Sequence, residues 1–286
     1  MITAATRLVA LLGNPVGHSL SPVMHNAAFG ERGIDMCCLA FEVNIQELGK
    51  AIEGLKCLGA VGANITVPFK ERALLYMDSL DPEADAVGAV NTVVFKGKHA
   101  FGHNTDIKGV EETLRLFRVS RKSALLLGAG GAARAAACAL GKDGWDRIWV
   151  SNRHHKRAEQ LVDDLARICN TPFAGVIPWG ERLPEPCPLV VNATSLGLDG
   201  AEWPEGLPEK ILSDANVEGV LDLVYTPGAT TPLVEAAIKL GIPAVGGEEV
   251  LLRQGAAAFS LFTGMEAPVE RMRDSIKDWT TRNERG

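Results

Sequence analysis

Four apolar residues, Ala124–Leu125–Leu126–Leu127, run without a break into Gly128–Ala129–Gly130–Gly131–Ala132–Ala133, and that junction leaves the chain few ways to fold. A short apolar run that ends at a glycine turn and continues into an alanine-rich stretch reads as a buried strand feeding a helix. Within it, Gly128–x–Gly130–x–x–Ala133 has the spacing of a dinucleotide fingerprint. Gly128 permits the tight turn, Gly130 lets the backbone approach a pyrophosphate, and Ala133 lets helix and sheet pack closely. The amides at the helix start then face the anion. A glycine-rich strand–helix turn also occurs with no ligand at all, but the strand before it and the helix running to about Gly141 make the nucleotide reading the stronger one.

The end of the next strand sharpens the choice of nucleotide. An enzyme that uses NAD usually carries Asp or Glu there, to bind the ribose 2′-hydroxyl. Here the segment is Ser151–Asn152–Arg153, followed by Lys156 and Arg157. Three cations suit a 2′-phosphate through charge-assisted contacts. The bland alternative, a solvated first turn of the helix containing Ala158, Leu161, Val162 and Leu165, is the less comfortable because cations at a helix N-terminus oppose its dipole. NADP is therefore the expected cofactor. Gly128, Ala129, Gly130, Gly131 and Ala132 would lie along its pyrophosphate and Asn152, Arg153, Lys156 and Arg157 at its adenosine end.

A chain of 286 residues accommodates two domains of ordinary size. Before the glycine turn, apolar runs alternate with helical stretches: Leu8 to Leu12, a helix from about Pro22 with Ser21 as its cap, Leu39 to Val43, then another helix. Ile107, Val110, Leu114 and Phe117 repeat at near-helical spacing after Asp106. Strands are legible at Arg147 to Val150, Leu189 to Asn192, Val220 to Tyr225 and Ile242 to Val245, and everything after Gly247 reads as helical. The expectation is an α/β chain with an N-terminal α/β substrate domain over 1–105, a Rossmann-type parallel-sheet dinucleotide domain over 106–246, and C-terminal helices over 247–286 that return to the first domain.

The net charge of −6 is spread without a basic run, which argues against nucleic acid as a partner. The N-terminal apolar stretch is cut short by Gly13–Asn14–Pro15, too early for a signal or a membrane span. Cys37, Cys38, Cys57, Cys138, Cys169 and Cys187 show no CxxC spacing, so a reducing, cytoplasmic setting is expected rather than a disulfide framework. His18 and His25 have no second ligand at a convincing spacing; no metal is expected, and both read as hydrogen-bonded structural groups.

The first domain holds four dense polar segments: Asn14–Pro15–Val16–Gly17–His18–Ser19–Leu20–Ser21–Pro22, Gly62 to Lys70 (GANITVPFK), Gly88–Ala89–Val90–Asn91–Thr92, and Gly102–His103–Asn104–Thr105–Asp106. With Asn192–Ala193–Thr194–Ser195, Asp222–Leu223–Val224–Tyr225 and Gln254–Gly255 they follow an order that resembles the shikimate dehydrogenase family over almost the whole chain. The resemblance implies reversible reduction of 3-dehydroshikimate to shikimate with NADPH, with substrate bound in the cleft between domains. It implies Lys70 and Asp106 as the catalytic pair, and Ser19, Ser21, Asn64, Thr66, Asn91, Tyr225 and Gln254 as contacts to the substrate carboxylate and hydroxyls. Leu223 and Gly247 would lie beside the nicotinamide.

Chemistry makes those roles reasonable. Hydride transfer to a ketone leaves an alkoxide, which a Lys in a partly dry site stabilises or protonates, and a carboxylate can orient that Lys. Taken singly each residue has a plainer reading: Ser21 and Asp106 as helix caps, Lys70 as a solvated residue at a helix start. Their joint occurrence in ordered motifs outweighs that. The chain departs from the family pattern at Phe262–Thr263–Gly264, where Trp–Thr–Gly is usual, at Val250–Leu251 for Met–Leu, and at Leu223 for Met, all apolar exchanges. Two rivals remain: a quinate/shikimate enzyme with relaxed substrate or NAD use, and a non-catalytic nucleotide-binding homologue. The partner is a small molecule in either active case, and the chain a monomer or homodimer.

Overall fold

A computed structural model of the chain describes residues 2–168, 171–198, 201–226 and 228–283. Cys169 lies outside these residues. The chain divides into two compact units, Met1–Thr105 with Leu251–Gly286, and Asp106–Val250.

The first unit is built on strands β1 (Arg7–Gly13), β2 (Met36–Glu42), β3 (Gly62–Ile65), β4 (Ser79–Leu80), β5 (Thr92–Lys96) and β6 (His99–His103), in the order β2-β1-β3-β5-β6-β4. β1 pairs in parallel with β2 and β3, whereas β5 runs antiparallel to both β3 and β6. Between the strands run α1 (Ser21–Glu31), α2 (Leu48–Cys57) and α3 (Pro82–Val87). The α2 side of the sheet buries Ala10, Leu12, Ile52, Leu55, Ile65 and Phe69. This mixed arrangement brings the C-terminal ends of β1, β3 and β6 and the N-terminal end of β5 to one edge of the sheet, where the polar segments lie.

Several local expectations are corrected. Ser21 is not the cap of α1: it is the first helical residue, Leu20 sits at the cap position, and the hydroxyl of Ser19 accepts the Ser21 N–H at 3.3 Å. Lys70 does not start a helix; it sits in a turn, and a short 3-10 helix follows over Arg72–Tyr76. His25 is wholly buried between Phe29 and Phe262, with the Asn64 side chain as its polar neighbour. β2 begins at Met36, earlier than its apolar pattern suggests, because Asn26 secures its outer edge: the Cys38 N–H donates to Asn26 Oδ1 at 2.7 Å and Asn26 Nδ2 donates to the Cys38 carbonyl at 2.9 Å.

The second unit contains α4 (Asp106–Leu114), β7 (Ala124–Leu127), α5 (Gly131–Lys142), β8 (Ile148–Ser151), α6 (His155–Ile168), β9 (Phe173–Ile177), β10 (Leu189–Asn192), α7 (Leu207–Asp214), β11 (Gly219–Asp222), α8 (Pro232–Lys239) and β12 (Ala244–Val245). Its six strands are parallel, in the order β9-β8-β7-β10-β11-β12. Numbered within the unit this is 3-2-1-4-5-6, the doubly wound dinucleotide-binding order. Strands buried on both faces need apolar runs rather than alternation, which is why Leu125 to Leu127 and Leu189 to Val191 read so plainly. Asp106 is the first residue of α4 rather than the cap before it. β11 stops at Asp222, short of Tyr225, because the Asp222 carboxylate takes the amide of Val224 and turns the chain.

Two further helices, α9 (Gly247–Thr263) and α10 (Val269–Asn283), complete the chain. α10 packs on α1, and a Cβ at Gly255 would collide with the Met24 side chain, so α9 and α1 touch almost backbone to side chain. The unit boundary falls inside α9 rather than at Gly247. Its first turn stays with the second unit because the Gly247 N–H donates to the Val224 carbonyl at 3.2 Å.

Candidate active site

In the first unit the sheet register sets Asn64 opposite Thr92, and Thr92 opposite His103. From that pairing follows a continuous buried polar network. Asn64 Nδ2 donates to Thr92 Oγ1 at 3.2 Å and to the Asn91 carbonyl at 3.4 Å. Asn91 Nδ2 donates to Thr105 Oγ1 at 2.9 Å and to Gln254 Oε1 at 3.4 Å, while Asn91 Oδ1 accepts the Thr105 N–H at 2.8 Å. Gln254 Nε2 is anchored on the Leu251 carbonyl at 2.9 Å. Asn64, Asn91 and Gln254, far apart in sequence, thus share one cluster of neutral amides and hydroxyls. Within it the buried Asn64 Oδ1 alone has no hydrogen-bond partner among the described residues of the cluster.

Thr66 follows β3 and is held by its amide, which donates to the Leu12 carbonyl at 2.9 Å. A Cβ at Gly13 would overlap the Thr66 methyl, so this glycine is what lets the loops after β1 and β3 lie together. Ser19 and Ser21 come from the β1–α1 loop and the first turn of α1. Lys70 is half-buried in the turn after β3, where its carbonyl accepts the Val90 N–H at 2.8 Å; Asp106, also half-buried, opens α4 in the second unit.

The second unit places Gly128 at the switch point between β7 and β10. Its φ of +113° favours glycine, and a Cβ there would lie 2.6 Å from the Ala193 carbonyl oxygen. Gly130 caps α5 with no side-chain partner, and a Cβ at that position would meet nothing within 4 Å. Gly131, Ala132 and Ala133 begin α5, with Ala129 in the turn before them, and no side chain caps the amides of its first turn. Such a cradle fits a pyrophosphate. Asn152 follows β8 and its Nδ2 donates to the His154 carbonyl at 2.9 Å. Arg153, Lys156 and Arg157 are all exposed around the start of α6. The residues present thus fit a dinucleotide with a 2′-phosphate.

After β11, Leu223 and Tyr225 are half-buried, and a Cβ at Gly247 would overlap the Leu223 carbonyl oxygen, which explains glycine at that point. Asp222 between them and the sheet has no exposed surface. Burial pushes its carboxyl up to about 6, against hydrogen bonds from Thr231, Val224 and Asn192 that favour the charged form. Residues absent from the sequence-derived site are Thr92, Thr105, Asn192, Asp222 and Thr231. The first four lie within the polar motifs of the sequence, but their partnerships depend on strand register. Among the described residues no group of three or more His, Cys, Asp or Glu could hold a metal ion.

The chain is similar to known proteins along almost its whole length. Models described as the shikimate dehydrogenase substrate binding domain, shikimate / quinate 5-dehydrogenase and the shikimate 5′-dehydrogenase C-terminal domain match residues 11–93, 111–174 and 247–277. The shikimate dehydrogenase (NADP(+)) of Moorella thermoacetica is 44% identical over 279 residues, covering 95% of this chain and 92% of its own. A crystal structure of a shikimate dehydrogenase in complex with NADP+ has 36% identity and a TM-score of 0.88, covering 98% of each chain. The shikimate 5-dehydrogenase of Thermus thermophilus, solved with NADP(H) and shikimate, has 34% identity and a TM-score of 0.83, covering 95% of this chain and 99% of that one.

Proposed function

From a chain that belongs to the shikimate dehydrogenase family, we propose that Lys70 and Asp106 form the catalytic pair of an NADP-dependent enzyme. The chain is an oxidoreductase that reversibly reduces 3-dehydroshikimate to shikimate with NADPH. The observation that carries this is the 44% identity to a shikimate dehydrogenase (NADP(+)) along 95% of the chain. When bound, NADPH supplies the hydride that reduces the substrate ketone.

What the chain itself must do is bind, orient and balance charge. The buried amides of Asn64 and Asn91 and the half-buried amide of Gln254, with the hydroxyls of Thr66, Ser19, Ser21 and Tyr225, are the donors and acceptors for a carboxylate and several hydroxyls. A site built to pair hydroxyls rejects analogues that lack them, since its buried groups would be left unpaired. Lys70 neutralises the oxygen on which negative charge develops, by hydrogen bond or by proton donation, and Asp106 orients Lys70 and accepts a substrate hydroxyl. Gly128 to Ala132 and Asn152, Arg153, Lys156 and Arg157 hold the cofactor, with Leu223 and Gly247 at its nicotinamide.

Replacing Lys70 by Ala lowers kcat by at least about a hundredfold, the scale of general acid–base and charge-stabilising groups, with NADP affinity unchanged. Asp106→Asn behaves alike. Steady-state kinetics on both variants check this, and near wild-type turnover in either rejects the pair. We place the enzyme in the cytoplasm: the five described cysteines are free thiols, which suits a reducing compartment, and no described helix is long and apolar enough to cross a membrane. It acts as a monomer or a homodimer, which sedimentation distinguishes.

A further inference from the structure

Two motifs that stand apart in the sequence, Asn192–Ala193–Thr194–Ser195 and Asp222–Leu223–Val224–Tyr225, are joined in the fold by one carboxylate. Asp222 Oδ1 accepts from Asn192 Nδ2 at 2.8 Å and from the Val224 N–H at 3.0 Å, and Oδ2 accepts from Thr231 Oγ1 at 2.7 Å. Asn192 Oδ1 in turn accepts the Thr194 N–H at 3.1 Å and the Thr194 hydroxyl at 2.7 Å, and Thr194 Oγ1 accepts the Leu196 N–H at 3.0 Å. Thr231 is the cap residue of α8, yet its side chain caps nothing, because its hydroxyl is committed to Asp222. Asn192 and Asp222 have no exposed surface and Thr231 only 4%. A buried charge is costly, and helix capping is forgone, at a place where an apolar contact would hold two loops together.

What the network fixes is the peptide from Leu223 to Tyr225. The Val224 amide is held by Asp222, the Leu223 N–H donates to the Asn192 carbonyl at 2.8 Å, and the Val224 carbonyl accepts the Gly247 N–H. Leu223 and Tyr225 flank this clamped residue. We propose that Asp222 is a positioning residue for hydride transfer, registering the Leu223–Tyr225 turn so that the groups facing nicotinamide and substrate are held at one spacing. This rests on the assignment of Leu223 to the cofactor and Tyr225 to the substrate. Asp222 touches neither reactant and acts through Val224, Asn192 and Thr231. Reaction rates depend steeply on registration of the reacting atoms, so the effect falls on the chemical step rather than on binding.

The test is a kinetic split on the full-length enzyme. Asp222→Ala lowers kcat about a hundredfold, leaves both KM values within about threefold, and raises the primary isotope effect measured with NADPH deuterated at the transferred position, since hydride transfer becomes more rate-limiting. Asp222→Asn restores most of kcat, because its carbonyl keeps the Asn192 and Val224 donors and its amide can donate to the Thr231 hydroxyl. If the Ala variant does not fold, Thr231→Val carries the test, with kcat down about tenfold and KM values unchanged. Wild-type kcat and isotope effect in a folded Asp222→Ala or Thr231→Val variant overturn the proposal, as does an Asn variant as impaired as Ala. Leu223→Ala and Tyr225→Phe serve as controls: if these are themselves without effect, the site assignment fails, whereas effects there with none at Asp222 reject only the positioning role.

Discussion

The polar cluster of the first unit and the nucleotide cradle of the second solve opposite problems. Around Asn91 the groups are neutral and mostly buried, and most are paired with one another, so the cluster is largely held in shape before any ligand arrives. The turn at Gly128–Ala132 is the reverse: helix amides that no side chain caps, and three exposed cations beyond. Specificity for a hydroxylated acid calls for the first design, because mismatched groups then stay unpaired at a cost of about 1–3 kcal/mol each. Binding a highly charged dinucleotide calls for the second, because field and amide donors do the work and side chains need only be near.

The contrast predicts separable damage. The largest effect is expected at the cations. Arg153→Ala with Arg157→Ala removes two charge-assisted contacts worth about 1.5–3 kcal/mol each, so KM for NADP rises by about a hundredfold or more, while KM for NAD and for shikimate hardly moves. Initial rates with both cofactors check this, and a double variant with its full NADP preference breaks the comparison. Because these residues are exposed, added salt narrows the preference in the wild-type enzyme as well.

A smaller effect, opposite in kind, is expected from Asn91→Ala. It strips the Thr105 N–H of its acceptor and leaves Gln254 with one donor fewer, at a stability cost of about 1–3 kcal/mol, and KM for shikimate rises about tenfold while NADP binding is kept. Thermal unfolding and steady-state kinetics read the two parts. A rise in KM for NADP rather than shikimate reverses the assignment of the two regions.

The smallest effect is in the pH dependence of stability, where the units carry opposite signs. Burial lowers His25 to about 4, opposed by the neighbouring Asn64, so its ring stays neutral in the fold. Between pH 4 and its ordinary value of 6.5 the unfolded state binds more protons, and the His25 contribution rises with pH. Asp222 is raised from 3.8 to about 6, so across that range the folded state binds more protons and its contribution falls as pH rises. Each slope is at most about 1.4 kcal/mol per pH unit, and between roughly pH 4 and 6 they nearly cancel. Denaturant unfolding across this range therefore steepens in one direction for His25→Gln and in the other for Asp222→Asn. Two variants whose slopes change in the same direction contradict the pairing.

How much of this was legible in the sequence follows the distance over which each feature is encoded. The glycine turn, α5 and the buried strands of the second sheet are specified by contiguous residues, and Leu189–Asn192 matches its strand to the residue. Ends set by side chains were harder: Asp222 stops β11 by capturing an amide two residues on, and Ser19 rather than Ser21 serves the start of α1. The antiparallel pairing of β3 with β5 gives no local sign, yet it sets Asn64 against Thr92. His25 shows the limit most clearly. Its sequence neighbourhood does not reveal that Phe29 and Phe262, the latter far down the chain, close around it and bury it completely.

The most direct test of the account is the initial rate of NADPH formation from shikimate and NADP, set beside shikimate with NAD and quinate with either cofactor. Shikimate with NADP is predicted to give the highest kcat/KM, exceeding shikimate with NAD by at least about tenfold, the worth of one phosphate contact. No shikimate-dependent NADPH formation, or faster turnover of quinate with NAD, would contradict it.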